Sequence, residues 1–359
     1  MVEHSNVAII GAAGACGRQL AVALLERRML PRTATLQLVG HRGGASETAL
    51  HGLRADLRDA FADHAPTIEL VYEPAALNAD LVVVLAGAAV STAPGAKADR
   101  LALGRINHGM FADFANELAG RSGPAPLVLV QSSPVELGVE MFSRAISRHR
   151  VIGIGAYSDT LRFRRELADS YGVDRSQVSA LVLGQHGGYL VPVWSSIQIE
   201  GFSVEQLDAV ISEHRVGRSL VDLPLEIAQE LENLLALIRA QRVHEAFSHI
   251  AKLPPDLRAA VKPFVTHFTA GHTTEIATAH SVAEVMAVLL DGRTEVMPLQ
   301  VRLEGEFHGL HGVTAVPVRV NSNGWAEVVD PNLAPDELDL LQRAVAHVAS
   351  ANAVLLESA

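Results

Sequence analysis

Short apolar runs alternate with segments of helical period over the first 150 residues. Asn6 to Gly11 reads as a buried strand with Val-Ala-Ile-Ile at its centre, followed by an apolar-periodic helix through about Glu26. Leu36 to Val39, Leu81 to Leu85 and Leu127 to Val130 read as further strands, and Asp99 to Leu118 has helical periodicity. Strands that are apolar at every position have both faces covered. Their alternation with helices implies a parallel, doubly wound sheet. The second half is mixed. Asp159 to Tyr171 predicts a helix and Val178 to Leu183 a strand. Leu225 to Ile250 predicts one long amphipathic helix, stopped by Pro254-Pro255. Pro298 to Leu303 and Thr314 to Val320 read as strands near a hairpin, and Leu333 to Leu356 as a closing helix. The expected class is α/β, with a doubly wound domain over 1–150 and an α+β substrate or catalytic domain over 151–359.

Composition narrows the function. A chain of 359 residues suits two packed domains rather than one ordinary core, and 49% hydrophobic residues supply the material. The longest apolar run, Leu81 to Val90, is too short to span a bilayer. The polar start at Met1 to Asn6 gives no expectation of a signal peptide. Cys16 is the sole cysteine, so no internal disulfide forms, which fits a reducing, cytoplasmic compartment. A net charge of −11, no dense Lys/Arg block and 4% aromatics argue against nucleic acid and anionic membranes as partners. An anionic substrate then requires isolated arginines in apolar or glycine-rich settings.

The first strand–helix junction carries Gly11-Ala-Ala-Gly14-Ala-Cys-Gly17. The first glycine permits the tight turn, the second lets backbone approach a pyrophosphate, and the third allows close helix–sheet packing. The helix N-terminus then presents free N–H groups and its positive dipole end to phosphate. This is a Rossmann-type dinucleotide loop. Sites for NAD usually place an acid at the end of the second strand, to bond the ribose 2′-hydroxyl. Here that strand ends in Gly40-His41-Arg42-Gly43. With no acid and one cation at this place, NADP(H) is favoured over NAD(H).

Hydride transfer to a 2-oxo acid needs a proton donor, an acceptor that fixes the donor's tautomer, a planar cation for the carboxylate, and positive charge near the carbonyl. His186 sits among glycines at a strand end, in Gly184-Gln-His186-Gly-Gly-Tyr-Leu-Val-Pro-Val-Trp194-Ser195. Asp159 and Arg162 lie three apart, hence on one face of a helix, in Ser158-Asp159-Thr-Leu-Arg162-Phe-Arg164. These two segments, following a glycine-loop domain, resemble the lactate/malate dehydrogenase family over nearly the full length.

The resemblance implies that His186 donates or removes the proton, that Asp159 orients it, and that Arg162 binds the substrate carboxylate. It implies that Arg100 polarises the carbonyl from a closing lid, with Asn107 seven residues on, and that Thr274 lines the pocket. It also implies a homodimer or homotetramer. The stretch Leu36 to Phe61 looks most like the cytosolic-type and NADP-type malate dehydrogenases.

Three departures stand out. The family's Asn-Pro-Val-Asp turn is Ser133-Pro134-Val135-Glu136, so Ser133 replaces a residue at the nicotinamide. The lid, Ala89 to Asp99, holds no arginine, and Lys97 is its sole cation for a second carboxylate. His186 and Thr274 are also farther apart than in the family, with extra helical sequence around 225–268. Malate/oxaloacetate is the favoured pair. A lactate-type or broader 2-hydroxy acid enzyme and a non-catalytic dinucleotide-binding relative are the alternatives. The NAD-dependent glycosidase relatives need a Cys-Asn-x-Pro metal motif, which Gln131-Ser-Ser-Pro134 lacks. His267, His272 and His280 are spaced too unevenly to share one helical face as metal ligands.

Overall fold

The computed structural model describes residues 6–88, 100–270 and 274–357. In its first half, β1 (Val7–Ile10), α1 (Ala15–Glu26), β2 (Thr35–Val39), α2 (Gly44–Ala60), β3 (Thr67–Val71), β4 (Leu81–Val84), α3 (Arg100–Gly120), β5 (Leu127–Val130), α4 (Val135–Ala145) and β6 (Val151–Gly153) succeed one another. The strands lie in the order β3-β2-β1-β4-β5-β6, all parallel. Every residue of β1, β4 and β5 is buried. Val7, Ile9, Val83 and Leu129 join a core that includes Leu20 and Leu24 of α1. Ala8, Ile10, Val82 and Val130 join another with Phe111 and Phe142. The period of two thus feeds two cores from one strand, which is why no polar face interrupts these runs.

The second half comprises α5 (Gly155–Tyr171), β7 (Val178–Gly184), β8 (Leu190–Ile199), α6 (Val204–Arg215), α7 (Leu223–Arg239), α8 (Val243–Ile250), α9 (Pro255–Ala270), α10 (Glu275–Asp291), β9 (Glu295–Glu304), β10 (His311–Asn321), β11 (Gly324–Val328) and α11 (Pro335–Glu357). β9 and β10 form the expected antiparallel hairpin. β9 meets β6 at Gly153 and Gln300, so the sheet continues from the parallel strands into antiparallel ones.

The single helix expected over Leu225 to Ile250 is two helices. Gln241 takes a left-handed φ of 60°, and Arg242 N–H donates to Leu237 O (2.9 Å) in a tight reversal between α7 and α8. No glycine or proline marks that turn. The reversal lets Leu234, Ala246, Ile250, Val261 and Val265 close a small core among α7, α8 and α9.

β1 lies between β2 and β4, so the chain order reverses there and a crevice opens beyond the strand ends. Gly11 and Gly17 shape its floor. A Cβ on Gly17 would lie 2.4 Å from Gly11 O and 2.7 Å from Ala12 Cα. We predict that Gly17→Ala destabilises the protein by about 1–3 kcal/mol through overpacking. An unchanged urea midpoint would refute this close approach.

Candidate active site

At the crevice, Gly11 N–H and Ala12 N–H both donate to Val39 O (3.0 and 3.2 Å), and Gly14 N–H donates to Gly11 O (3.0 Å). These bonds fold the loop under the start of α1. The first N–H groups of a helix have no partner within it, so they are available to phosphate oxygens. Gly40 continues β2 by donating to Val71 O, and His41 N–H donates to Ser46 Oγ (3.3 Å). Arg42 is largely exposed. It lies over the Tyr72 ring, 5.4 Å from the centroid, and pairs with Glu73 at 3.3 Å. An acid is therefore present in space, supplied from beyond the end of β3 rather than from β2.

His186 and the face of α5 meet in one cavity of about 370 Å³. α5 begins close beneath His186, and a Cβ on Gly155 would sit 2.6 Å from His186 Cβ and Cγ. Asp159, one turn on, is 4% exposed. Its Oδ2 lies 2.7 Å from His186 Nδ1, and its Oδ1 accepts from Arg162 Nη1 at 2.8 Å. The carboxylate therefore makes Nδ1 the protonated nitrogen and leaves Nε2 for the cavity. Burial alone pushes the Asp159 carboxyl up, but the His186 imidazole and the Arg162 guanidinium outweigh it and hold it below the usual range. Arg162 Nη2 also donates to Thr274 Oγ1 (3.2 Å), which brings the expected pocket threonine to the expected clamp.

Arg100, at the start of α3, lines the same cavity but is engaged on its far side. Nη2 donates to Glu136 Oε2 (2.8 Å), and Nη1 donates to His186 O. Glu136 Oε1 accepts from His186 N–H (2.7 Å). Arg100 and Glu136 thus clasp both backbone polar groups of His186.

Asn107 is buried and does not line the cavity. Its Oδ1 accepts from Ala88 N–H (2.8 Å) and its Nδ2 donates to Ser133 O (2.7 Å). The amide therefore ties the base of the lid to the Ser133 turn, rather than facing substrate as expected. Ser133 lines the cavity. Lys97, with the lid Ala89 to Asp99, and His272 lie outside the described residues.

Several lining residues carried no site expectation. Gln131 Oε1 is buried without a partner among the described residues, and Gln131 lines the cavity, so it is an acceptor fit for a carboxamide N–H. Cys16 also lines it. Burial, reinforced by Glu275, pushes its thiol up to about 11, so it stays neutral and is no nucleophile near pH 7. Leu231, Ala260, Pro263, Phe264 and His267, from α7 and α9, line the cavity as well. Their signal in the sequence was the extra helical length itself.

The depressed carboxyl of Asp159 sets a sign. Its contribution to stability is present above the unfolded-state pKa of about 4 and is lost as pH falls through the lower folded value. We predict that Asp159→Asn lowers the urea midpoint at pH 6 and that the gap to wild type narrows by pH 3. A gap independent of pH would mean that Asp159 is not held ionised by its partners.

The chain resembles known proteins over most of its length. The sequence model for the lactate/malate dehydrogenase NAD-binding domain matches residues 5–153, and that for the lactate/malate dehydrogenase alpha/beta C-terminal domain matches residues 158–216. A malate dehydrogenase of Methanothermobacter marburgensis is 26% identical, covering 98% of this chain and 97% of the relative. An L-lactate dehydrogenase of Staphylococcus saprophyticus is 27% identical, covering 96% and 94%. The crystal structure of Cryptosporidium parvum malate dehydrogenase superposes with a TM-score of 0.75 at 21% identity, covering 99% of both chains.

Proposed function

Because the chain belongs to the lactate/malate dehydrogenase family of nicotinamide-dependent 2-hydroxy acid oxidoreductases, we propose that His186, Asp159 and Arg162 carry its reversible reduction of a 2-oxo acid. The observation behind this reading is the Asp159 carboxylate shared between His186 and Arg162 in one cavity. The nicotinamide, when bound, supplies the hydride in one direction and accepts it in the other. His186 Nε2 gives a proton to the carbonyl oxygen during reduction and takes it back during oxidation. Asp159 holds the tautomer and balances the imidazolium that forms. Arg162 grips the carboxylate with its planar fork, and its bond to Thr274 limits how it turns. Arg100 brings positive charge to the cavity edge, where the carbonyl oxygen gains negative charge, and steadies His186 through its backbone.

Oxaloacetate and malate are one reading of the substrate pair, supported by a full-length relative named for malate. A monocarboxylic 2-oxo acid is the second reading. It is supported by the cavity lining from α7 and α9, which presents no Lys or Arg among the described residues. We predict that His186→Ala lowers turnover about 10²- to 10⁴-fold while nicotinamide dinucleotide binding, followed by fluorescence, persists. Full turnover in that variant rules out the assignment.

For the coenzyme we propose NADP(H). Arg42 follows the end of β2 by three residues, where an acid would serve the ribose hydroxyl, and Gly14 is the loop glycine at which backbone would approach the pyrophosphate. A 2′-phosphate would take over from Glu73 as the partner of Arg42. Arg42→Asp is expected to shift the NADPH/NADH ratio of kcat/KM toward NADH by tenfold or more. A ratio that stays put removes Arg42 from coenzyme choice.

A further inference from the structure

We infer that the helices α7 and α9 make a rigid apolar chamber for the substrate's side chain, so that the preferred substrates are 2-oxo acids with bulky aliphatic side chains. The inference rests on the dehydrogenase reading and develops its monocarboxylic form. Leu231 of α7 and Ala260, Pro263 and Phe264 of α9, with His267 as the one polar side chain that α7 and α9 contribute among the described residues, line the cavity that also holds His186 and Arg162. A substrate carboxylate on Arg162 and a carbonyl at His186 leave the third substituent of the oxo carbon to fill the remaining space.

The charges of α9 point elsewhere. Arg258 Nε donates to Glu166 Oε2 (2.8 Å), Arg258 Nη2 donates to Glu166 O (2.9 Å), and Lys262 Nζ pairs with Glu166 Oε1. Glu166 is buried on α5, the helix that bears Asp159 and Arg162. Both cations of this stretch are thereby held against α5. The other lining cations are also engaged, Arg162 with Asp159 and Arg100 with Glu136.

The wall is built to keep its place. At the start of α9, buried Asp256 accepts from Trp194 Nε1 (3.3 Å) and from Arg218 Nη1 (3.2 Å). Behind the wall, Leu234, Ala246, Ile250, Val261 and Val265 pack as a core of their own. A pocket fixed on both sides selects by fill, since each methylene moved from water into it contributes about 0.8 kcal/mol, or about fourfold.

The test is kcat/KM for pyruvate, 2-oxobutanoate, 2-oxopentanoate, 2-oxo-4-methylpentanoate and oxaloacetate, each with NADPH and NADH. The chamber requires a rise along the monocarboxylate series, reaching about 60-fold for 2-oxo-4-methylpentanoate over pyruvate at about fourfold per carbon. Oxaloacetate should fall below the branched acid. Ala260→Leu, which fills the chamber, should cut the ratio of branched acid to pyruvate by about tenfold or more. Leu231→Arg, at a half-buried position where a long side chain is tolerated, should move the ratio of oxaloacetate to branched acid upward by tenfold or more. A flat series, oxaloacetate as best substrate, or ratios unmoved in a folded Leu231→Arg protein overturns the chamber and leaves the dehydrogenase reading intact. Absence of turnover with every oxo acid and both coenzymes overturns both.

Discussion

A buried carboxylate is tolerable only where cations and donors surround it, and this site is organised around that constraint. Asp159 satisfies it with His186 and Arg162, so these two side chains are held in register by one carboxylate. Two other buried acids follow the same rule nearby. Glu136 takes Arg100 and the N–H of His186, and Glu166 takes Arg258 and Lys262. Asp159, Arg162 and Glu166 are spaced i, i+3, i+7 on α5. One helical face therefore faces His186, the substrate space and α9 in turn. In a chain of net charge −11, the arginines that matter are located by the acids that hold them.

The parallel half was legible because its strands are apolar on both faces and its loop glycines are fixed by close approach. β1, β4 and β5 appear within a residue of expectation. α4 and α10 gave little signal, since burial on most sides erases the helical period. Nine of the eleven residues of α4 are buried. The α7–α8 reversal was hidden for another reason, because Gln241 adopts a left-handed turn that usually falls to glycine or asparagine.

At the site, the residues legible in the sequence were those set in recognisable segments, and only the Asp159–Arg162 pair is local. His186, Asp159, Arg162 and Thr274, which the family resemblance singled out, lie together. Glu136 was visible only as the end of a turn, because its partners Arg100, His186, Gln300 and Asn352 come from four distant segments. Arg42 met a partner that sequence order concealed, since Glu73 follows another strand. Asn107 has suggestive spacing, and its amide bonds the backbone of Ala88 and Ser133. Long-range pairing is what one-dimensional reading lacks.

The tie between Glu166 and α9 has a mechanical consequence. The α9 surface proposed to meet the far end of the substrate and the helix that bears Asp159 and Arg162 are joined by two cations on one carboxylate. An ill-fitting ligand that presses on α9 loads α5 as well, and with it the alignment of Asp159 under His186. Discrimination is then expressed in the chemical step rather than in the grip on the ground state, because misfit disturbs contacts that matter most at the barrier. The scaffold acts as a lever, with Glu166 as its pivot.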